Sequence, residues 1–437
     1  MPEPKQVVIV GAGFAGLGAA RRLGGVRDLR VTVVDRRNYH LFQPLLYQVA
    51  MAGLSPADIA RPIRALVSGH RNVRVIHGAV ESVDVKARRV SGDFGSLDYD
   101  YLLLATGAQH AYFGNEHWEP FAPGLKTLEQ ATEIRRRLLS AFERAEREQN
   151  IEERKRQLSF VIVGGGATGV ELAGAIGELS RFTLAQDFRT IDPKLTRVIL
   201  IEGGERILPG FDEAMASRAT RDLESLGVQV WTRSLVTDVD PWGVQVGDER
   251  VAAATVLWAA GVRASELGSQ LGVDVDRSGR VPVQEDLSIE GHPELFVLGD
   301  LALARDRSGE ALPGVAPVAL QQGRYVGALI AAELAGRPRS PFHYVDKGQM
   351  ATIGRSRAVV KAPGLRLSGW LAWMAWLLIH IYYLSGFRNR LLVLIQWAWS
   401  YITFGRGARL IVEKGWRSYP DASPEDEGQQ EPARRVG

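Results

Sequence analysis

Short apolar runs that stop at glycine punctuate this chain. Val7-Val8-Ile9-Val10 leads at once into Gly11-Ala12-Gly13-Phe14-Ala15-Gly16, then into Leu17-Gly18-Ala19-Ala20-Arg21-Arg22-Leu23. Four consecutive apolar positions predict a strand covered on both faces, as in a parallel sheet, and the stretch after the glycines is a good helix former. Val31-Thr32-Val33-Val34 is the next strand and ends on Asp35. Arg36 to Gln48 mixes polar and aromatic residues around Gln43-Pro44, which predicts a loop and a short helix. Val73 to Val85 alternates and predicts strands, with Gly78-Ala79-Val80 between them. Tyr99 to Leu104 predicts a buried strand running into Ala105-Thr106-Gly107. Glutamates and arginines over residues 129–156 predict a solvated helix with i,i+4 pairs.

The opening pattern then recurs. Phe160-Val161-Ile162-Val163 is the strand, Gly164-Gly165-Gly166-Ala167-Thr168-Gly169 the turn, and Val170-Glu171-Leu172-Ala173-Gly174-Ala175-Ile176 the helix. The following strand, Arg197 to Ile201, ends on Glu202 and is delayed by an insertion over Arg181 to Leu195. Val256 to Gly261 repeats the strand and turn of Leu103 to Gly107. Leu295 to Leu298 closes on Gly299-Asp300, and Ala316-Pro317 begins a helix to Leu334. The expected fold class is α/β, with two Rossmann-like dinucleotide-binding domains, the second inserted in the first. Residues 1–125 with 285–345 make the first, and 126–284 the second.

Beyond Lys361 the pattern changes. Leu367 to Phe387 carries no formal charge, and Trp370, Trp373, Trp376, His380, Tyr383 and Phe387 fall at helical spacing. Leu391 to Phe404 is a second apolar stretch, with Gln396, Ser400 and Thr403 on one face. The first is about long enough to cross a bilayer, for which about 20 residues are needed, and the second is too short. Tryptophan and tyrosine prefer the headgroup level, and arginines bracket both stretches. A C-terminal helical segment lying in the membrane interface is expected over 346–412, and a disordered tail over 418–437. Its partners are the lipid bilayer surface and, as the apolar tail also admits, a second copy of the chain in a homodimer.

Composition narrows the chemistry. The chain has 437 residues and no cysteine, which excludes a disulfide scaffold, cysteine-ligated clusters and a redox dithiol. Its eight histidines show no ligand spacing, so no metal site is expected. A net charge of +3 gives no argument for nucleic acid. The short polar stretch before the first strand is not a signal peptide, so the expected location is the cytoplasmic face of the cell membrane, held peripherally.

The two glycine turns carry the site chemistry. In such a turn the first glycine (Gly11, Gly164) allows the tight bend, the second (Gly13, Gly166) admits a pyrophosphate, and the third (Gly16, Gly169) lets helix and strand pack. The helix N-terminus then offers free N–H groups to the phosphates, from Phe14 and Ala15 in one turn and Thr168 and Val170 in the other. The strand-end acids Asp35 and Glu202 suit ribose hydroxyls. Such a turn found twice, each with its acid, predicts two dinucleotide sites.

The order of these elements resembles the two-dinucleotide-binding-domain flavoprotein oxidoreductases over residues 6–335. Within them the chain is similar to the type II NADH:quinone oxidoreductases, on Phe42-Gln43-Pro44-Leu45-Leu46-Tyr47, the second glycine turn with Glu171, Ala316 to Gly323, and the aromatic, basic tail. The resemblance implies FAD on the first turn and NADH on the second, with hydride transfer to FAD, electron transfer to a membrane quinone, ubiquinone or menaquinone, and no proton pumping. It implies that Asp35, Arg36, Gln43, Val80, Thr106, Gly107, Asp300 and Leu320 hold FAD, that Gly261 joins the NADH site, and that Glu171 and Gln321 are catalytic. Many members read Ala-Gln-x-x-x-Gln where the quinone meets the flavin. Here the first glutamine position is Pro317, and Gln321 stands at the second. A disulfide reductase or sulfide:quinone reductase would need cysteines. A soluble reductase of a ferredoxin or rubredoxin-like protein is the alternative, though it has no use for such a tail. An NADH-sensing module would leave the flavin closed to acceptors.

Overall fold

The computed structural model describes residues 3–185, 187–403 and 405–412. Its principal elements begin with β1 (Lys5–Val10), α1 (Phe14–Leu23), β2 (Leu29–Asp35), α2 (Leu46–Ala50), β3 (Val73–His77), β4 (Tyr101–Leu104) and α3 (Leu128–Arg147). There follow β5 (Ser159–Val163), α4 (Ala167–Glu178), β6 (Arg197–Ile201), α5 (Glu213–Ser225), β7 (Val228–Trp231) and β8 (Thr255–Trp258). The last part holds β9 (Ser288–Ile289), β10 (His292–Val297), α6 (Ala316–Leu334), β11 (Gln349–Gly354), β12 (Arg357–Ala362), β13 (Leu365–Ser368), α7 (Trp370–Tyr383) and α8 (Phe387–Thr403).

The first sheet has the order β9-β10-β4-β1-β2-β3, parallel except for its edge strand β9. The apolar runs read from the sequence are its central strands, and Ile9, Val31 and Leu103 have no exposed surface. From β1 the chain moves outward through β2 to β3, then returns to the other side of β1 as β4. That reversal leaves a crevice at the C-terminal ends of β1 and β4. The second sheet repeats the plan as β7-β6-β5-β8, all parallel, with its crevice between β5 and β8. The repetition extends to a three-stranded antiparallel meander ahead of each return strand, Val80–Asp84 to Gly95–Asp98 in one case and Val236–Asp240 to Glu249–Ala252 in the other.

The charged helix of residues 129–156 is two helices, α3 and Ile151–Gln157. Asn150 starts the second by accepting from the Glu152 and Glu153 N–H groups. Its pairs include Glu133 with Arg136 and Arg137, and Glu153 with Arg156.

The C-terminal region corrects the expectation of a purely helical segment. It opens with an antiparallel sheet, β11-β12-β13. Gly174 brings this sheet onto α4, because a Cβ there would stand 1.7 Å from the Ile353 carbonyl oxygen. Leu367 belongs to β13, Gly369 turns the chain at φ +70°, and α7 has 14 residues. The aromatic stripe does not share one face. Trp376 and His380 are buried, whereas Trp370 is 54% and Phe387 81% exposed. A helix that is apolar all round offers periodicity no face to select; the neighbours Tyr47, Phe42 and Trp397 select it here. Among the described residues no helix is long and apolar enough to cross a membrane. The tail of residues 418–437 lies outside the described residues.

Candidate functional site

The first crevice is shaped by glycine. Gly11 has φ +96°, and a Cβ on it would lie 2.4 Å from the Ala105 carbonyl oxygen. A Cβ on Gly16 would stand 1.8 Å from the Gly11 oxygen, so α1 closes directly on the turn. A Cβ on Gly13 would meet no atom within 4 Å. Protein packing does not require glycine at that position; the open space over the start of α1 suits a pyrophosphate. Phe14 is half-buried and Ala15 buried on the first turn of α1.

Asp35 closes the crevice. One carboxylate oxygen accepts the Ala12 N–H and the other the Arg37 N–H, both at 2.7 Å. Burial raises its pKa above the ordinary carboxylate value, with those two N–H groups working against it. Each oxygen retains acceptor capacity for a ribose hydroxyl. Arg36 is exposed, and its carbonyl meets His77 Nε2 at 3.1 Å. Val80 opens the first meander, and Gln43 opens the 3₁₀ turn Gln43–Leu45; both are half-buried.

On the β4 side, Thr106 Oγ1 is buried with no partner, and Gly107 takes φ +70°. Asp300 lies 3.7 Å from Lys126 Nζ. The Gly299 N–H donates to Gln322 Oε1 at 2.6 Å. Small residues seat α6 here: a Cβ on Gly323 would lie 2.0 Å from the Ala15 oxygen. Leu320 is half-buried on α6. Gln321 has both ends of its amide engaged with the Val345 backbone, at 3.0 Å each. It holds the segment leading to Lys347, whose ammonium donates to the Tyr383 hydroxyl at 3.1 Å.

The second crevice repeats this geometry. Gly164 has φ +110° and would clash with Ala259, Gly169 would stand 1.8 Å from the Gly164 oxygen, and Gly166 faces open space. Glu202 accepts the Gly165 and Gly204 N–H groups at 2.6 Å, as Asp35 does in the first. Thr168 is exposed, Val170 is fully buried, and Gly261 sits against the Phe113 ring.

Just past this turn, Glu171 lines a partly open cavity of about 130 Å³ between α2, α4, β11, α7 and α8. Burial pushes its carboxyl up to about 8, against a hydrogen bond from the Thr352 N–H. Tyr47, Trp376, Trp397 and Arg406 share the cavity. Ring contacts link it to the first crevice: Phe14 meets His40 and Phe42 edge-on, and Phe42 meets His380. His40, Gln322, Lys347 and Trp376 were not among the sequence candidates. Trp376 entered the sequence reading only as part of the aromatic stripe, and for all four only the fold supplies the neighbours.

The pyridine nucleotide-disulphide oxidoreductase model matches residues 5–323, and the NDH2 C-terminal domain model matches 347–407. Two Mycobacterium tuberculosis proteins named type II NADH:quinone oxidoreductase, Ndh and NdhA, are each 43% identical over 94% of this chain and 91% and 90% of their own lengths. This chain belongs to the type II NADH:quinone oxidoreductase family. The fold agrees with that of NDH2 from Plasmodium falciparum, solved in complex with NADH, at TM-score 0.83 and 19% identity, covering 94% of this chain and all of that one. The sulfide:quinone oxidoreductase of Aquifex aeolicus shares the fold at TM-score 0.71 and 20% identity, covering 88% and 92%. A type II NADH:quinone oxidoreductase uses FAD. The first crevice fits it: Thr106 presents a buried hydroxyl without a protein partner, and Gly13 faces free space.

Proposed function

We propose that this chain oxidises NADH in the second crevice and reduces a quinone drawn from the membrane, with FAD in the first crevice between them. Bound FAD supplies the two-electron carrier that NADH and quinone both require. The observation that carries this reading is the duplicated cradle, two glycine turns with the same backbone geometry and the same carboxylate clamp. In the first, the α1 N-terminus, Asp35 and Thr106 hold FAD, with Gly107, Asp300 and the start of α6 completing the wall. In the second, the α4 N-terminus and Glu202 hold NADH. The Glu202 carboxylate accepts from a ribose 2′-hydroxyl and repels a 2′-phosphate, which favours NADH over NADPH. Glu171, beside the second turn, holds its proton near neutrality and can deliver it during quinone reduction. Gln321, bonded to Val345, acts by fixing the position of Lys347.

The membrane reading rests on exposed apolar surface. Leu371, Leu378, Tyr382, Phe387, Trp399 and Ile402 are each at least 60% exposed on α7 and α8. Soluble monomers rarely leave so much apolar surface in contact with water. On that surface, this face lies in the bilayer interface, on the cytoplasmic side where NADH is found; among the described residues no helix is long and apolar enough to span. Purified protein should show flavin absorbance, oxidise NADH faster than NADPH with a soluble quinone, and float with liposomes. Flotation that persists in high salt but fails in the double variant Phe387→Glu, Ile402→Glu supports interfacial burial. Failure of wild type to float, with a dimer in solution, would assign this face to a second copy.

A further inference from the structure

Backbone strain gathers around the second crevice. Of the eight non-glycine residues with positive φ among the described residues, three border it: Phe113 (φ +55°), Leu208 (φ +50°) and Arg233 (φ +53°). Leu208 donates its N–H to the Gly165 carbonyl and Arg233 donates to that of Gly204, both at 2.8 Å, so these two shape the glycine turn and the Glu202 loop. Phe113 does neither. It follows the strand Ala108–His110, which pairs antiparallel with Val262–Ala264. Its ring lies over Gly261, where a Cβ would stand 2.5 Å from Cζ, yet the residue is 69% exposed. The loop around it is pinned. The Ala111 N–H donates to the Gly261 carbonyl at 3.2 Å, Trp258 Nε1 to the Ala111 carbonyl at 2.9 Å, and the Tyr112 hydroxyl to the Ala122 carbonyl at 2.8 Å. Tyr112 also stacks on Trp258, with ring centroids 5.1 Å apart. An exposed phenylalanine alone is ordinary. One held in a left-handed backbone by its surroundings marks a place where that conformation is used.

The strand order says which part of a dinucleotide passes this ring. Glu202 ends β6 and clamps the adenosine ribose, and the turn after β5 takes the pyrophosphate. The other half of the molecule then extends over the end of β8, where Ala259 abuts Gly164 and Gly261 follows. We propose that the Phe113 ring is a preset platform for the nicotinamide riboside half of NADH. The inference rests on the placement of NADH in the second crevice given above. The ring offers a flat apolar face that sugar and pyridine C–H groups cover on binding. Because its backbone is fixed before NADH arrives, the contact costs little ordering. Phe113 binds and positions; no proton or electron passes through it.

The test uses the full-length, flavin-loaded protein. Phe113→Gly removes the ring and takes φ +55° freely, so flavin content and melting temperature should be retained. Calorimetry should show NAD⁺ binding weakened about tenfold, with the KM for NADH raised as much and the KM for quinone unchanged. Phe113→Tyr keeps the face and should bind within about twofold of wild type. ADP, which lacks the nicotinamide riboside, should bind Phe113→Gly as it binds wild type. Unchanged NAD⁺ affinity in Phe113→Gly, or an equal loss of ADP affinity, would overturn the platform. If Phe113→Gly melts lower, Phe113→Leu decides: it keeps bulk without the flat face, and wild-type NAD⁺ affinity there sinks the idea. If Gly166→Val still lets NADH bleach the flavin, the placement of NADH falls. If Gly166→Val stops the bleaching and the Phe113 variants bind NAD⁺ normally, only the platform falls.

Discussion

At the scale of single residues, the two cradles differ in what a substitution can do. Gly13 and Gly166 face free space, so a larger side chain there should block the nucleotide without disturbing the fold. Gly13→Val should fold without the yellow chromophore, and Gly166→Val should keep flavin but lose its reduction by NADH; absorbance and stopped-flow bleaching check both. Glu202→Ser should narrow the NADH preference in steady-state assays, since the carboxylate no longer repels a 2′-phosphate. Glu171 gives a pH signature whose sign is fixed by its folded value of about 8, above the ordinary 4.5. Between those values the folded chain keeps a proton that the unfolded chain releases, so stability falls as pH rises through this window, by about 1.4 kcal/mol per unit at most. Glu171→Gln should lose that slope in thermal melts from pH 5 to 8. Quinone-linked turnover of wild type should decline above pH 8, and the variant should lack this limb. His40 acts in the opposite direction. Its Nδ1–H donates to the Ala12 carbonyl at 2.9 Å, and burial lowers its pKa to about 4. The stability it contributes is present above the ordinary 6.5 and lost as pH falls from there towards 4.

At the scale of elements, close approach of small residues joins the parts that must cooperate. Gly323 fits α6 to the first turn, and Gly174 fits the C-terminal sheet to the second helix. Gly174→Ala should push β11 away from α4, lower the melting temperature and weaken the Thr352 hydrogen bond to Glu171. An infrared titration should then show the Glu171 pKa moving further up, because that hydrogen bond favours the ionised form. The glycine turns, strand-end acids and the Ala316–Leu334 helix were legible in the sequence because local backbone rules select their residues. The C-terminal sheet was not. Gln349 to Ser368 alternates weakly, and its strands are defined by packing on α4. Nor could the sequence identify the buried face of α7, since every face is apolar. Gln321 was legible as a polar residue on α6, but its engagement with Val345 depends on a loop that periodicity does not describe.

At the scale of the whole molecule, the C-terminal helices belong to the core as much as to the surface. Trp376, Leu377, Leu384 and Val393 are buried in the main apolar cluster. Asn389 donates to the Ala57 and Asp58 carbonyls, and Trp397 Nε1 to Gln48 Oε1. Arg135 and Asp187 hold the segment after α8 through Ala408 and Arg409. Deleting residues 365–437 should therefore lower the melting temperature and expose core. Polar substitutions on the outer face should weaken liposome binding at least tenfold with flavin and melting temperature retained.

The pair α7–α8 has lipid on its outer side, in the proposed arrangement, and the Glu171 cavity on its inner side. The mechanical state of the bilayer then becomes an input to turnover. A stiff, saturated membrane and a fluid, unsaturated one press differently on the same two helices. At equal quinone concentration the enzyme should run at different rates in them, and the difference should vanish when ferricyanide draws electrons from the aqueous side.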